Sequence, residues 1–382
     1  FYSRSERPVL ADPHNLIGAY LTSQIKLPVQ YAALDGDWRA VRSLCSWEQQ
    51  RGIRVKVQGL TSEAGQLLNG KCGTVQTYAA DKGRWEVIIE NVKGRKALKH
   101  ANLLFDREEI TLISCLTAIC AAQNGHEACL LVLRDAGCNL NQATNAGATP
   151  AFIAAAQGHE ACLSVLRDAG CDLSQATNGG TTPAIMACQN GHDSCLALLR
   201  DAGCDLNQAM NVGVTPAFIA AGEGHESCLV LLRDAGCDLG KAGRDGATPA
   251  CIASQKGHEA CLAVLRDAGC DLGQATNDGG TPACIAAGKG HDSCLVLLRD
   301  AGCDLGQATS SGLTPAWMAS QNGHDSCLVL LRDAGCDLGK ADNEGATPAC
   351  VAAGDGRKSC LVLLRDAGCD LGKATNNGAT PG

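Results

Sequence analysis

The segment that decides the fold is Thr149–His159, which reads TPAFIAAAQGH. Its Thr-Pro pair returns every 33 residues, and its Gly-His pair returns in the same phase. The Thr-Pro pairs begin at Thr149, Thr182, Thr215, Thr248, Thr281, Thr314, Thr347 and Thr380. The Gly-His pairs end at His126, His159, His192, His225, His258, His291 and His324. A fixed period of this length predicts stacked structural repeats in which each unit contacts its neighbours.

Each repeat carries the signals of two short helices. Thr149 is suited to cap a helix whose first residue is Pro150, where a missing N–H is tolerated. The apolar run that follows ends at Gly158. A second helix is predicted over about residues 160–169, with Gly170 ending it. The Gly- and Asn-rich stretch before the next Thr-Pro pair predicts a connecting turn.

This pattern of Thr-Pro, Ala and Gly-His resembles the ankyrin repeat over about residues 115–382. The resemblance implies a mostly α fold, an ankyrin-type helical solenoid of about eight repeats of 33 residues. The family usually has Leu-His after Thr-Pro, whereas this chain has Ala followed by Phe, Ile, Cys or Trp. An apolar substitute is therefore expected for the usual histidine hydrogen bond between repeats. Arg357 in place of a Gly-His histidine, and Leu116-Thr117 in place of Thr-Pro, fit terminal capping repeats.

Charge is unevenly distributed along the chain. Residues 51–104 carry ten Lys/Arg and four Asp/Glu, whereas residues 111–382 carry sixteen Lys/Arg and twenty-eight Asp/Glu. The array is therefore expected to repel nucleic acid, while the basic segment is suited to phosphate or to an acidic protein surface. Its basic patch comprises Arg54, Lys56, Lys71, Lys82, Arg84, Lys93, Arg95, Lys96 and Lys99. No stretch reaches the ~18–20 uninterrupted apolar residues of a membrane span.

Sixteen of the 24 cysteines form two columns in phase with the repeat. The first column is Cys129, Cys162, Cys195, Cys228, Cys261, Cys294, Cys327 and Cys360. The second column is Cys138, Cys171, Cys204, Cys237, Cys270, Cys303, Cys336 and Cys369. Stacked repeats lie about 10 Å apart, whereas a disulfide needs Cα atoms within about 7 Å. The columns therefore predict buried, reduced thiols and a reducing compartment.

The first hundred residues follow other patterns. Residues 1–30 predict an extended arm, and residues 31–50 predict either a degenerate ankyrin-like helix pair or a simple helical hairpin. Residues 51–105 contain short alternating segments and Gly-rich turns, which predict a small SH3-like β-barrel. The stretch Leu68–Val75 resembles the turn of such barrels, including the KOW type found in RNA-associated proteins.

Two local sequence patterns are similar to ligand-binding motifs. Gly65–Cys72 has the Gly and Lys spacing of a P-loop, but Cys72 replaces the hydroxyl that binds magnesium, and the next residues predict a strand. His225 and Cys228 have zinc-ligand spacing, but two ligands leave zinc short of four. A histidine that hydrogen-bonds the neighbouring loop is the simpler interpretation. Since no set of nucleophile, base and orienting group occurs, we expect no enzyme activity, metal or cofactor.

The resemblance places the partner surface on the concave side, at the first helices and the hairpin tips. Side chains there vary between repeats because packing does not dictate them. The candidates before each Gly-His are Gln123, Asn124, Gln157, Gln189, Asn190, Glu223, Gln255, Lys256, Lys289, Gln321, Asn322 and Asp355. The tips add Arg244, Asp245, Asn277, Asp278, Asn343 and Glu344. Solvated positions without a partner are the alternative, and Trp317 is expected in the core rather than at an interface.

These patterns predict a protein-interaction scaffold, specifically an accessory subunit that braces a larger assembly with its arm, barrel and solenoid. Because residue 1 is Phe, the chain is expected to be processed or a fragment. Processing fits a reducing organelle interior, such as the plastid stroma or the mitochondrial matrix. The alternative is an RNA-linked adaptor that contacts nucleic acid through the basic patch. No small-molecule substrate is expected.

Overall fold

The computed structural model describes residues 117–135, 137–376 and 378, together with five strands nearer the N-terminus. The chain divides into two compact units, Phe1–Asn178 and Gly179–Gly382. The arm predicted over residues 1–30 and the hairpin predicted over 31–50 lie outside the described residues.

The five described strands of the first unit form one antiparallel sheet. They are β1 (Arg54–Val57), β2 (Cys72–Ala79), β3 (Arg84–Ile89), β4 (Arg95–Leu98) and β5 (Leu103–Phe105). Their order is β4-β3-β2-β1-β5, and Val55 pairs with Gly73 on one side and with Phe105 on the other. The strand predicted to follow Cys72 is therefore confirmed. The connections needed to judge an SH3-like barrel lie outside the described residues.

The described helices come in pairs at the 33-residue period. In the first unit they are α1 (residues 117–123), α2 (Glu127–Asp135), α3 (Pro150–Gln157) and α4 (Glu160–Asp168). In the second unit they are α5 (Pro183–Asn190), α6 (Asp193–Asp201), α7 (Pro216–Glu223), α8 (Glu226–Asp234), α9 (Pro249–Lys256), α10 (Glu259–Asp267), α11 (Pro282–Lys289), α12 (Asp292–Asp300), α13 (Pro315–Asn322), α14 (Asp325–Asp333), α15 (Pro348–Gly354) and α16 (Lys358–Asp366). Odd-numbered helices are the first helices of their repeats, and even-numbered helices are the second.

The predicted cap signals act as expected. The Thr149 hydroxyl accepts a hydrogen bond from the Phe152 amide at 3.1 Å, which satisfies one of the free N–H groups at the start of α3. Gly158 ends α3 with φ of 75°, a left-handed conformation that glycine adopts without a side-chain clash. The same arrangement recurs at Thr281, which accepts from the Cys284 amide at 3.2 Å.

The core of each unit consists of small and aliphatic side chains. Most apolar positions of the first helices and most Leu and Cys positions of the second helices are almost fully inaccessible to solvent. The first cysteine column is buried throughout, as predicted. The second column is only half-buried, because it follows the end of the second helix. None of the cysteines from Cys120 to Cys369 forms a disulfide bond.

Candidate protein-binding surface

One residue at the end of each first helix lies at the surface. The last position before Gly-His, or before its equivalent, is exposed in all six repeats of the second unit, and neighbouring first helices there contact one another. We call these six residues the outer row: Asn190, Glu223, Lys256, Lys289, Asn322 and Asp355. In the first unit, Asn124 is exposed and Gln157 is half-buried. The predicted candidates at this position therefore form a continuous strip in the second unit.

The position immediately before each outer-row residue is less exposed, and in the second unit it alternates between Gln and Gly. Gln189, Gln255 and Gln321 are half-buried, as is Gln123 in the first unit. The side-chain oxygens of Gln123 and Gln189 are buried and have no hydrogen-bond partner within the described residues. At Gly222, a Cβ atom would lie 2.9 Å from Cγ1 of Ile252. The alternation thus leaves space for the following helix.

Backbone carbonyls at this alternating position hold neighbouring repeats together. Nε2 of His291 lies 3.2 Å from the Gln255 carbonyl oxygen, and Nε2 of His258 lies 3.2 Å from that of Gly222. Because a carbonyl can only accept, Nε2 is the protonated nitrogen in each ring. The prediction that the Gly-His histidine bonds the neighbouring repeat is confirmed. Arg357 makes the same link, since its Nε donates to the Gln321 carbonyl at 3.1 Å.

The sequence pattern did not reveal that Arg357 replaces the histidine link rather than only capping the array. A signal was present, because Arg357 lies 36 residues after Gln321, the separation seen for each histidine and its carbonyl. Its side chain also occupies the histidine's place against the preceding left-handed glycine. A Cβ atom at Gly323 would lie 2.9 Å from Cδ of Arg357.

The hairpin tips combine a structural residue with an exposed one. The Asn277 side-chain amide donates to the Arg244 carbonyl at 3.0 Å, and the Asn277 backbone amide donates to the Asp245 carbonyl at 2.9 Å. The Asn343 side chain repeats the first contact with Ser310 at 3.0 Å. The first tip residue of each repeat therefore joins neighbouring tips.

The second tip residue is exposed and varies in chemistry. In the second unit this tip row includes Val212, Asp245, Asp278, Ser311 and Glu344. Val212, which sequence reasoning missed, is 47% exposed, and its signal was an apolar residue at a turn otherwise occupied by polar ones. The Thr276 hydroxyl donates to Asp278 and lowers the pKa of that carboxyl, so Asp278 is a fixed negative charge.

At the second position after Pro, where an apolar side chain was expected, some repeats carry a cysteine whose thiol donates a hydrogen bond. The Cys284 thiol donates to the Gln307 carbonyl at 3.3 Å, and the Cys350 thiol donates to the Lys373 carbonyl at 3.4 Å. Trp317, at the equivalent position, is 8% exposed, which confirms its expected place in the core. Its indole N–H is buried and has no partner among the described residues.

The basic patch is described only in part. Arg54 and Lys56 lie on β1, Arg84 lies on β3, and Arg95 and Lys96 lie on β4. The remaining members lie outside the described residues: Lys71, Lys82, Lys93 and Lys99. The sheet order separates β1 from β3 and β4 by β2.

The remaining charged and ligand-like groups have local roles. Each Arg-Asp pair at the end of a second helix forms an exposed ion pair at 2.8–3.0 Å, a type that contributes little to stability. Within the described residues, no cluster of three or more His, Cys, Asp or Glu side chains could hold a metal ion. In that same part of the chain, no helix combines the length and the apolar character required to cross a bilayer.

Paired helices at a fixed period, linked repeat to repeat through histidine and tip contacts, define a helical solenoid repeat protein. The family profile described as "Ankyrin repeats (3 copies)" matches residues 118–210, 166–242, 217–309, 251–342 and 283–375. These matches together span residues 118–375, so the chain belongs to the ankyrin-repeat family, whose domains are typically protein–protein interaction modules without enzyme activity.

A solved structure supports this fold. The crystal structure of the human ASB11 ankyrin repeat domain is 24% identical, with a TM-score of 0.53, and the match covers 56% of this chain and 98% of that one. The ankyrin repeat domain of Bcl-3, a member of the IkappaB protein family, is 25% identical, with a TM-score of 0.48 and coverage of 53% and 93%. Among curated proteins, no sequence matches the chain.

Proposed function

We propose that this protein is a non-catalytic scaffold that binds a protein partner along the outer row and the tip row of its second unit. The observation that carries the proposal is the exposure of the outer row on helices whose other positions are largely buried. Packing constrains those buried positions, whereas it leaves the outer row free to vary. The outer row accordingly includes amide, acidic and basic side chains one repeat apart.

The charge pattern of this surface supports recognition of one particular partner. Along the outer row, Glu223 is followed by Lys256 and Lys289, and Asp355 ends the row. The tip row, which precedes the same first helices in the chain, adds the negative charges of Asp245, Asp278 and Glu344. A surface that carries both signs of charge discriminates between partners through charge complementarity, because a misaligned partner places like charges together. We infer a partner with positive groups opposite the tips and negative groups opposite the lysines.

The test compares partner capture by two variants of the full chain. The surface variant carries Glu223→Ala, Lys256→Ala, Lys289→Ala and Asp355→Ala. The matched control carries Glu226→Ala, Glu259→Ala and Asp292→Ala, which remove exposed charges from the starts of second helices. Both variants should keep the wild-type free energy of unfolding within about 0.5 kcal/mol, as surface changes generally do.

Native isolation followed by mass spectrometry then gives the outcome. We expect the wild type and the control to retain the same protein partner after nuclease treatment, and the surface variant to lose it. Equal retention by the surface variant would place the interface elsewhere. We further propose that the partner belongs to a larger assembly that this chain braces as an accessory subunit, in a reducing organelle interior. Sizing of the wild-type complex and fractionation of organelles test those two points.

A role as an RNA-linked adaptor is the second candidate, favoured by the excess of six positive charges in residues 51–104. Five of these basic residues lie on strands of one sheet. Phosphate binding would weaken steeply with added salt, because bound counterions are released. If nuclease frees the chain from its complex and RNA binding by the full chain depends on salt in this way, the adaptor role replaces the scaffold role.

A further inference from the structure

We infer that the hairpin Met210–Val214 is the apolar anchor of the tip row, and that the partner binds this row with a basic segment carrying one apolar side chain. The inference rests on the proposed scaffold function and adds the chemistry and the register of the partner. Val212 is 47% exposed, and among the described residues the other large apolar side chain with comparable exposure is Val362.

This hairpin departs from the repeat because its polar positions are apolar. In the four hairpins that follow, the residue equivalent to Met210 is Gly, Thr or Asp, and the residue equivalent to Val212 is Asp, Ser or Glu. The Met210 amide donates to the Val214 carbonyl at 2.9 Å, and the Gly213 amide donates to the Met210 carbonyl at 2.8 Å. Met210 and Val214 are half-buried. The closed turn therefore holds three apolar residues together, with the most exposed one at the tip.

The first helix that follows this hairpin adds a partly accessible aromatic ring. Phe218 of α7 is half-buried, whereas Phe152 at the equivalent position of α3 is 2% exposed. At the equivalent position of α11, the Cys284 thiol lies 3.9 Å from the carbonyl oxygen of Leu313, so this position faces the following hairpin. The hairpin that follows Phe218 begins with Gly243, which has no side chain to cover the ring. Apolar surface is therefore accessible on both the hairpin and the helix of this repeat.

Beyond the anchor, the tip row carries negative charge. Asp245, Asp278 and Glu344 are exposed members of this row. The Asp245 carboxylate accepts a hydrogen bond from the Ala247 amide at 3.1 Å, and the Asp278 carboxylate accepts one from the Thr276 hydroxyl, so each is held by its own turn. Residues 111–382 also carry twenty-eight Asp/Glu against sixteen Lys/Arg. This field attracts a basic segment before contact.

The order of the tip row sets the register of the partner. Val212 is followed by Asp245 and Asp278, then by neutral Ser311, and then by Glu344. Stacked repeats lie about 10 Å apart, so the complementary groups of the partner need the same spacing. An unfolded segment in the polyproline II conformation has about three residues per turn and a rise of about 3.1 Å per residue, which places every third side chain on one side. We therefore expect an apolar residue with basic residues at every third position from it.

The test measures peptide binding to the reduced full chain by fluorescence anisotropy. The probe is a fluorescein-labelled peptide with one Leu, with Lys at the third, sixth and twelfth positions after it, and with Ser and Pro elsewhere. The control peptide keeps these lysines but exchanges the Leu with the residue at the ninth position, which lies opposite Ser311 when the lysines are in register. We expect saturable binding of the probe and binding of the control peptide that is weaker by about fivefold or more. Equal binding of the two peptides, or no saturable binding of the probe, would overturn the inference.

Two valine variants locate the anchor. Val212→Ser should weaken binding of the probe by about fivefold or more and leave binding of the control peptide unchanged. Serine already occupies the equivalent tip position at Ser311, so the fold is expected to persist. The matched variant Val362→Ser removes the other exposed valine, which lies on α16, and should leave binding of both peptides unchanged. Wild-type affinity of Val212→Ser for the probe would contradict the assignment of the anchor.

Two carboxylate variants test the charged part of the row. Asp278→Asn should weaken binding of both peptides about twofold, as expected for an exposed ion pair. Asp271→Asn removes an exposed carboxylate outside the tip row and should leave binding unchanged. Equal effects of the two variants would remove the basic segment from the inference. These measurements use no outer-row substitution, so their failure leaves the scaffold proposal to its own test.

Discussion

Substitution of two glycines in the same repeat separates backbone strain from the histidine link. Gly257 and Gly269 have nearly the same φ, +79° and +77°. A Cβ atom at Gly257 would lie 2.6 Å from Nδ1 of His291, whereas a Cβ atom at Gly269 would have no atom within 4 Å. Alanine at either position adds the left-handed strain of about 1–2 kcal/mol. Only alanine at Gly257 must also displace the His291 ring.

The additional loss follows from the contact that the ring makes. A displaced ring breaks the 3.2 Å hydrogen bond from Nε2 to the Gln255 carbonyl. A hydrogen bond of this kind contributes about 0.5–1.5 kcal/mol, and the part-buried carbonyl loses its partner as well. We therefore expect Gly257→Ala to lower the free energy of unfolding by about 1.5–3.5 kcal/mol and Gly269→Ala by about 1–2 kcal/mol.

Urea unfolding monitored by circular dichroism measures both changes in the free energy of unfolding. The comparison requires that the variants and the wild type have the same denaturant dependence. The coupling is tested in a His291→Ala background, where Gly257→Ala should cost only about as much as Gly269→Ala. Equal losses for the two glycine variants in the wild-type background would refute the reasoning. So would an undiminished cost of Gly257→Ala after the ring is removed.

Three further outcomes follow from the same contacts. Thr281→Ala removes the cap on the Cys284 amide and should lower the free energy of unfolding by about 1 kcal/mol, which Thr281→Ser should largely restore in the same urea assay. Burial raises the pKa of Cys261 to about 12, so the folded state keeps a proton that the unfolded chain releases above about pH 8.5. The thermal midpoint should therefore fall as pH rises from about 8.5 toward 11, and less steeply in Cys261→Ala; parallel curves would contradict this. Val362, at 45% exposure, should tolerate Asp with a change under about 0.5 kcal/mol, whereas half-buried Val296→Asp should lose about 1–3 kcal/mol in urea unfolding.

The sequence predicted the helices well because their signals are local. Thr149 and Pro150 set the start of α3, and Gly158 sets its end, all within one turn of the residues that they affect. The core place of Trp317 followed from its position within the same pattern. A repeat seen eight times also averages out the ambiguity of any single copy.

Contacts between repeats were harder to predict, because they join residues 33–41 apart that only the stacking geometry brings together. The Arg357 link depends on a single departure from the repeat. A repeat pattern describes what the repeats share, so it does not reveal a contact made by a residue that departs from it. The outer row was identifiable as a set of variable positions, but its exposure and the half-burial of Gln189 required the helices to be placed.

The spacing of the links has a consequence for how the binding surface can change. Tip contacts join residues 33 apart, and ring contacts join residues 36 apart, in one repeat after another. Removing or duplicating one 33-residue repeat within the second unit would therefore leave every remaining hydrogen-bond donor opposite an acceptor of the same kind. A shorter deletion would shift all subsequent partners out of register. The interface can thus lengthen or shorten in whole repeats, each step adding or subtracting one side chain from the outer row while the rest keep their spacing.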